Sequence, residues 1–257
     1  RRVMRGVLGA LGVVLVAATA ATAVVTRQRA HELVTNPLAT RHMPGKTPAD
    51  YGLPFEDVVV RTDDGLWLSG WYIAPSNGAV VVLQHGYKSD RGEMLNEAAM
   101  LARHGYGALV SALRAHDRSE GEVISFGAHE MKDLAAWMAW LVGRPEVGTG
   151  RIGILGNSMG GTLAIRYAAS DPRIRAVVAN SAFSSIGDTV ETSIRFFTGL
   201  PPFPFAPMIV FWAEREAGFR GADVDARRRI GELSPRAVFL MQGGTDTVIS
   251  PESGRLL

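Results

Sequence analysis

Residues 151–161 read RIGILGNSMGG, a short apolar run that passes directly into a Gly-x-Ser-x-Gly motif. The apolar run predicts a buried strand over 151–155, and the residues after the motif predict a helix. A sharp turn between a strand and a helix exposes the hydroxyl of Ser158, while Gly156 and Gly160 let the chain turn without Cβ clashes. The N–H groups at the start of the helix point at developing negative charge. The stretch therefore predicts Ser158 as a nucleophile.

Apolar runs and helical segments alternate on both sides of this stretch. The alternation predicts an α/β fold with a mostly parallel sheet and helices on both faces, because parallel strands need crossover connections. A turn at 62–65 between two β-rich runs predicts an antiparallel hairpin at the start of the sheet. The predicted strands are 55–61, 66–73, 79–84, 107–113, 151–155, 174–179 and 237–241, and the predicted helices are 94–103, 128–142 and 162–169.

One segment, about 184–232, breaks the alternation. It is rich in aromatic residues and in proline, and it is much longer than an ordinary crossover needs. We expect it to form an inserted cap over the carboxyl ends of the strands. A longer crossover whose aromatic side chains pack on the sheet is the alternative.

The N-terminal part of the chain carries an apolar run, residues 6–26, with arginines before and after it. As a helix this run is about 31 Å long, close to the hydrocarbon thickness of a bilayer. It predicts a signal anchor with the N-terminus in the cytoplasm and the folded part outside. The alternative is a cleaved signal peptide, because small-x-small sites occur at 18–20 and 21–23, and the folded part is then secreted.

The chain thus divides into three predicted parts. Residues 1–30 form the membrane anchor or signal peptide. Residues 31–50 contain three prolines and little periodicity, which predicts a linker. Residues 51–257 form the folded domain, with the cap inserted in it.

Composition excludes several classes of protein. The 257 residues are 47% hydrophobic with a net charge of only +2, which suits one large core and provides no basic stripe for nucleic acid. Cysteine is absent, so a disulfide scaffold, a thiolate metal site and a cysteine nucleophile are excluded. His129 and Glu130 lack a second histidine at the spacing of a zinc protease, and no metal site is expected.

From about residue 55 onward the chain resembles the α/β-hydrolase superfamily, in particular its serine aminopeptidase-like and lysophospholipase-like members. Four motifs carry the resemblance in order, each after a predicted strand. They are QHGY at 84–87, LRAHDRS at 113–119, the Ser158 turn, and GGTD at 243–246. The resemblance implies the α/β-hydrolase fold, a serine nucleophile, and no metal or organic cofactor.

The resemblance also implies roles for residues around Ser158. The backbone N–H groups of Met159 and Tyr87 form an oxyanion hole, and Tyr87 follows the turn glycine Gly86. Asp246 orients a catalytic histidine.

Two features depart from the superfamily pattern. In the 113–119 loop, which shapes the pocket, Ala115 and Asp117 stand where glycines are usual. The six histidines, at 31, 42, 85, 104, 116 and 129, all precede Asp246, whereas the pattern places the histidine after the aspartate. Residues 251–257 look like the first turns of another helix. We expect a C-terminally truncated sequence whose last helix, strand and histidine loop lie beyond it; a true pseudo-hydrolase is the alternative.

These observations predict a serine hydrolase that cleaves carboxylic esters, including lipid-derived ones, through an acyl-enzyme on Ser158. The same site can cleave amides, so a serine peptidase or amidase is an alternative. An acyltransferase and a catalytically inactive binding module remain further alternatives. The expected partners are a small acyl ester or peptide substrate and the membrane, through residues 6–26. The oligomeric state stays open.

Overall fold

A seven-stranded sheet organises the chain in the computed structural model, which describes residues 2–148 and 150–257 and the side chains from residue 8 onward. The order of the strands across the sheet is β1-β2-β4-β3-β5-β6-β7. The strands are β1 (Glu56–Arg61), β2 (Trp67–Ile73), β3 (Val80–Gln84), β4 (Gly107–Ser111), β5 (Ile152–Asn157), β6 (Ile174–Asn180) and β7 (Ala237–Met241).

The sheet is mixed in the predicted way. β1 pairs antiparallel with β2, and β2 pairs antiparallel with β4. The remaining neighbours, from β4 through β3, β5 and β6 to β7, pair in parallel. The central strands are almost wholly buried because helices cover both faces. The prediction of an α/β-hydrolase fold is confirmed.

Three helices cover the sheet. Helix α2 (Leu95–Arg103) packs on one face through Leu95 and Ala98. Helices α3 (Glu130–Val142) and α4 (Met159–Ser170) pack on the other face, where Trp137 and Leu163 are fully buried. Because β3 and β5 are parallel neighbours, their carboxyl ends lie at the same edge of the sheet, between the two helix layers.

The N-terminal helix α1 (Arg2–Val34) continues past the predicted boundary at residue 31. Its last turns pack on the domain, since Ala30 and Val34 are fully buried. The chain after α1 is also held, because the side chain of Asn36 donates to the Ala115 carbonyl at 2.7 Å. Residues 31–50 thus contain the end of a helix and a segment bound to the domain, since tertiary contacts offset their weak local pattern.

The segment 184–232 contains two helices, α5 (Ile186–Thr198) and α6 (Pro202–Ala217). Ser185 caps α5 by accepting the Asp188 N–H, and Gly199 ends it with a left-handed φ of 69°. Helix α6 packs against α1 in an apolar cluster that includes Ala30, Ile209 and Ala213. A short helix α7 (Pro251–Leu256) follows β7.

Candidate active site

Ser158 occupies the turn between β5 and α4 with φ 52° and ψ −117°. A backbone of this kind costs a non-glycine residue on the order of 1–3 kcal/mol and is held only where the surroundings enforce it. Here the Ser158 N–H donates to the Asn180 carbonyl of β6 at 2.8 Å, which ties the turn to the neighbouring strand. The side chain of Ser158 stands at the start of α4, on the wall of a pocket.

The glycines of the motif are needed because backbone segments cross at this turn. A Cβ on Gly156 would lie 2.1 Å from the Gly160 carbonyl oxygen. A Cβ on Gly160 would lie 2.5 Å from the Gln84 oxygen and 2.6 Å from the His85 oxygen at the end of β3. All three distances are shorter than real Cβ contacts, so the turn after β5 can lie against β3 only if these two positions carry no side chain.

The turn after β3 lies next to Ser158. A Cβ on Gly86 would lie 3.5 Å from Ser158 Cβ, so the two turns are in van der Waals reach. Within residues 2–148 and 150–257, neither the Tyr87 N–H nor the Met159 N–H has a hydrogen-bond acceptor. Two unpartnered N–H groups beside a serine hydroxyl are the arrangement that an acyl-transfer oxyanion hole requires.

Glu93 links these two turns, and sequence analysis did not single it out. One carboxylate oxygen of Glu93 accepts the Gly86 N–H at 3.1 Å, and the other accepts the side-chain amide of Asn157. Asn157 in turn accepts a bond from Asn180 at 3.0 Å. No local pattern marks Glu93, because its partners lie on other elements. Its carboxylate fixes the residues next to Tyr87 and Ser158.

Two buried histidines pack against each other behind the turn after β3. The ring centroids of His85 and His116 are 4.7 Å apart, and the ring planes are inclined at 53°. His85 Nε2 accepts the Leu113 N–H at 3.1 Å, and His116 Nε2 accepts the Lys88 N–H at 3.0 Å. Each ring therefore carries its proton on Nδ1, which faces a backbone carbonyl. Burial lowers the pKa of both imidazoles. These neutral rings hold the backbone on either side of Tyr87.

The 113–119 loop adopts the backbone that glycines would favour. Ala115 has φ 59° and Asp117 has φ 50°, both in the left-handed region. Asp117 is fully buried, where its carboxylate pairs with Arg91 at 2.8 Å. Arg41 donates to three carbonyls of the same loop region, including that of Ser119 at 2.5 Å. The loop thus keeps its shape without glycine because buried ion pairing and hydrogen bonds over-determine it.

The pocket beside Ser158 is apolar. Its cavity is about 100 Å³, and no charged side chain is among the described residues that line it. The sheet side contributes Tyr87, Ser158 and Met159, and α1 contributes Leu33. Helices α5 and α6 close the pocket with Thr189, Val190, Ser193, Ile194, Phe197, Ile209, Val210 and Ala213. The structure therefore brings the predicted nucleophile and both predicted N–H donors to one cavity.

Asp246 lies in the loop after β7, which reaches the same pocket. Its Oδ1 accepts the N–H groups of Val248 and Ile249, each at 2.9 Å, and both residues line the pocket. In the part of the chain that the structure describes, no histidine is hydrogen-bonded to Asp246 or to Ser158 Oγ. His129, for example, lies against the Ala217 carbonyl at 2.9 Å. Asp246 therefore lies beside the pocket, and none of the six histidines contacts it in the described part of the chain.

Strand order, the serine turn after β5 and the adjoining pocket define an α/β hydrolase, and comparison with solved structures agrees. The esterase Pf2001 of Pyrococcus furiosus superposes with a TM-score of 0.71 and 29% identity, covering 86% of this chain and 82% of that one. GrgF of Penicillium sp. sh18, an α/β hydrolase, shares the fold with a TM-score of 0.62 at 20% identity, covering 78% of this chain and 84% of that one.

Comparison of the sequence with protein-family models identifies one family within this fold. The chain belongs to the X-Pro dipeptidyl-peptidase (S15) family, whose model matches residues 17–199. The match includes the Ser158 turn and part of α1. The resemblance to the α/β-hydrolase superfamily is thereby confirmed.

Curated relatives are longer than the aligned region. YqkD of Bacillus subtilis, an uncharacterized protein, is 24% identical over 201 residues, which cover 77% of this chain and 66% of its own length. WAV2 of Arabidopsis thaliana, an α/β-hydrolase domain-containing protein, is 27% identical over 157 residues, covering 58% of this chain and 50% of its own. The chain thus spans between half and two thirds of the length of these two relatives.

Proposed function

We propose that this protein is a serine hydrolase that cleaves carboxylic esters with apolar acyl groups. The observation that carries the proposal is the strained Ser158 turn on the wall of an uncharged pocket, beside the unpartnered N–H groups of Tyr87 and Met159. A hydroxyl held in this way is exposed to a carbonyl carbon that enters the pocket.

The proposed reaction has two steps. Ser158 Oγ attacks the acyl carbon, its proton passes to a base, and the alcohol leaves after taking up that proton. Water then attacks the acyl-enzyme and releases the acid. In both steps the oxygen that becomes negative accepts hydrogen bonds from the Tyr87 and Met159 N–H groups.

The base must be an imidazole or an equivalent group that can reach Ser158 Oγ. Asp246, which its own loop holds through two backbone N–H groups, is the residue that we propose to orient it. The 257 residues place no histidine at that position, so the base is a group that this sequence does not identify.

Peptide cleavage is the second candidate, because the family is described by a dipeptidyl-peptidase activity. An X-Pro dipeptidyl-peptidase must hold the charged α-amine of its substrate, which needs a carboxylate partner in the pocket. The described lining of this pocket contains no acidic residue. Burial of an unpaired ammonium group is costly, so the pocket favours an ester with an uncharged acyl part.

We further propose that α1 anchors the protein in a membrane, with the hydrolase domain outside the cytoplasm. Within Leu8–Val34 the helix has a window of mean hydropathy 2.3 with none of it buried, and signal sequences meet the same criterion. The last turns of α1 are part of the domain, since the Tyr87 hydroxyl donates to the Leu33 carbonyl at 2.6 Å. This contact holds the end of α1 on the domain with either kind of segment, because cleavage at 18–20 or 21–23 would leave Leu33 in the chain. The anchor is therefore proposed on the length and hydropathy of the helix.

A fluorophosphonate probe tests the proposed nucleophile in the full-length protein. We expect covalent labelling of the wild type and none of Ser158→Ala. Ser193→Ala is the matched control, because Ser193 lines the same pocket, and it should label like the wild type. Labelling of Ser158→Ala would contradict the proposal, and a folded wild type that never labels would favour a binding module.

Substrate class is tested with p-nitrophenyl esters of increasing acyl length and with an X-Pro p-nitroanilide. We expect ester hydrolysis whose kcat/KM rises from acetyl to medium-chain acyl groups. Faster cleavage of the X-Pro anilide would instead establish the peptidase alternative.

A further inference from the structure

The connection between α5 and α6 presents an unusual apolar surface. We call residues 196–205, which read FFTGLPPFPF, the cap tip. Phe203 is 84% exposed, Phe196 is 56% exposed and Phe197 is 43% exposed. No charged residue occurs between Arg195 and Glu214. Contiguous exposed aromatic groups of this kind mark a surface that another apolar phase covers.

Helix α6 lies along α1, and two contacts fix its direction. The Arg27 guanidinium stands 5.8 Å from the ring centre of Trp212, and one turn further His31 pairs with Glu216. Both helices therefore run the same way. The residues of α6 before Trp212 lie level with the residues of α1 before Arg27, which form the uncharged run 6–26.

The cap tip consequently extends in the direction of the apolar run. Phe205 precedes Trp212 by two helical turns, which places it about 10 Å beyond the level of Arg27. Along the same face of α1, Thr26 is fully buried and Thr22 is half-buried, as the packing of a neighbouring helix requires. Read towards their N-termini, α1 and α6 therefore lose their charged residues at about the same height along the helix pair.

We propose that the cap tip inserts into the bilayer leaflet through which α1 leaves the membrane. This inference rests on the membrane attachment proposed for α1, and it does not require the proposed ester hydrolysis. Continuity with α1 identifies the occupant of the apolar surface as lipid, since a helix that crosses a membrane carries the neighbouring cap tip to the same depth.

The residues at the boundary fit this position. Trp212 and Arg27 lie together where the apolar stretch ends, and the Arg215 guanidinium lies 4.3 Å from the ring centre of Phe211. Tryptophan and arginine favour the headgroup region, where an aromatic ring meets lipid and a guanidinium reaches water or phosphate. Helices α5 and α6 are bent by 97° relative to each other, so the cap tip lies at the corner between them.

The cap tip also forms part of the pocket beside Ser158. Phe197 belongs to the cap tip and lines the cavity beside Ser158, and its ring packs edge-on against that of Tyr87 at 5.2 Å. The wall of the pocket is thus part of the surface that contacts lipid. In the proposed arrangement, the site lies at the membrane surface.

Depth-dependent quenching tests the proposal in the full-length protein. The 257 residues contain no cysteine. With any cysteine outside them replaced by serine, each single-cysteine variant carries one NBD label. Three exposed positions serve: Phe203→Cys in the cap tip, Leu15→Cys in α1, and Val142→Cys at the end of α3. The proteins are reconstituted in phosphatidylcholine vesicles with and without doxyl-labelled lipids, and iodide reports contact with water.

We expect lipid quenching at Phe203→Cys of at least half the value at Leu15→Cys, with little quenching by iodide. Val142→Cys should show the reverse. If Leu15→Cys is quenched by lipid and Phe203→Cys only by iodide, the proposal is wrong although α1 spans the membrane. Without lipid quenching at Leu15→Cys, the membrane attachment and this inference both fail.

A fourth outcome concerns a second copy of the chain. If the label at residue 203 is shielded from iodide and from lipid alike, the cap tip packs against protein, and the proposal is overturned. Formation of a disulfide dimer by unlabelled Phe203→Cys would then identify the partner as another copy.

Discussion

Two regions meet at Ser158, and they are built by opposite means. The turns after β3 and β5 are fixed by short backbone contacts that only glycine permits, by buried histidines and by the Glu93 carboxylate. The cap formed by α5 and α6 contributes apolar side chains, several of them exposed. The turns are therefore intolerant of change, whereas the cap can alter the shape of the pocket without disturbing the nucleophile.

Among the substitutions considered, Gly160→Ala should cause the largest loss of stability and of labelling rate. The added Cβ would lie 2.5 Å from the Gln84 oxygen, and backbone on both sides leaves no flexible group to yield. We expect a loss of about 3 kcal/mol in the free energy of unfolding, measured by urea titration in detergent. A displacement of Ser158 by about 1 Å should also slow fluorophosphonate labelling roughly 100-fold.

Gly187→Ala in the cap is the matched control. Gly187 lies in the first turn of α5, and a Cβ there would meet only Ser185 Oγ at 3.7 Å, an ordinary contact. Alanine favours a helix over glycine, so stability should stay unchanged or rise by up to about 1 kcal/mol. Equal losses in the two variants would refute the contrast between rigid turns and tolerant cap.

The buried histidines predict a smaller, pH-dependent effect. Burial lowers the pKa of His116 well below 6.5, so the unfolded chain binds a proton in mildly acidic solution while the folded protein does not. Stability should therefore fall as the pH drops below about 6.5, and this residue contributes on the order of 1 kcal/mol of the loss between pH 7.5 and 5.5.

The variant His116→Gln isolates that contribution, because glutamine keeps a donor and an acceptor but does not titrate. The free energies of unfolding of wild type and variant are compared at both pH values. The variant should lose on the order of 1 kcal/mol less than the wild type over this range. An identical pH dependence would mean that His116 is protonated in the folded state, contrary to its environment.

The same contrast explains what the sequence could predict. Strands such as β3 and β6 lie within one residue of their predicted bounds, because a short, wholly apolar run is a local signal. The start of α4 was predicted three residues too late. Its glycines have low helix propensity, and contacts with β3 and β6 nevertheless hold the helix from Met159 onward.

Contacts between residues far apart in the chain could not be predicted from local sequence patterns. The role of Glu93 depends on Gly86 and Asn157, which share no spacing pattern with it. The extension of α1 to Val34 depends on burial against α6, a helix far along the chain. The aromatic residues marked 184–232 as unusual, but they did not define the helices, since packing and caps such as Ser185 decide where α5 begins.

Tyr87 connects the two regions, and Tyr87→Phe should have the smallest effect. Burial raises the pKa of its phenol, which therefore keeps its proton and donates to the Leu33 carbonyl at 2.6 Å. Loss of this bond should cost about 1 kcal/mol and loosen α1 at the pocket. The backbone N–H of residue 87 remains, so KM for a medium-chain ester should rise a few-fold while kcat stays within about two-fold. The exposed Tyr106→Phe is the control. A fall in kcat as large as that of Ser158→Ala would show instead that the phenol takes part in the chemistry.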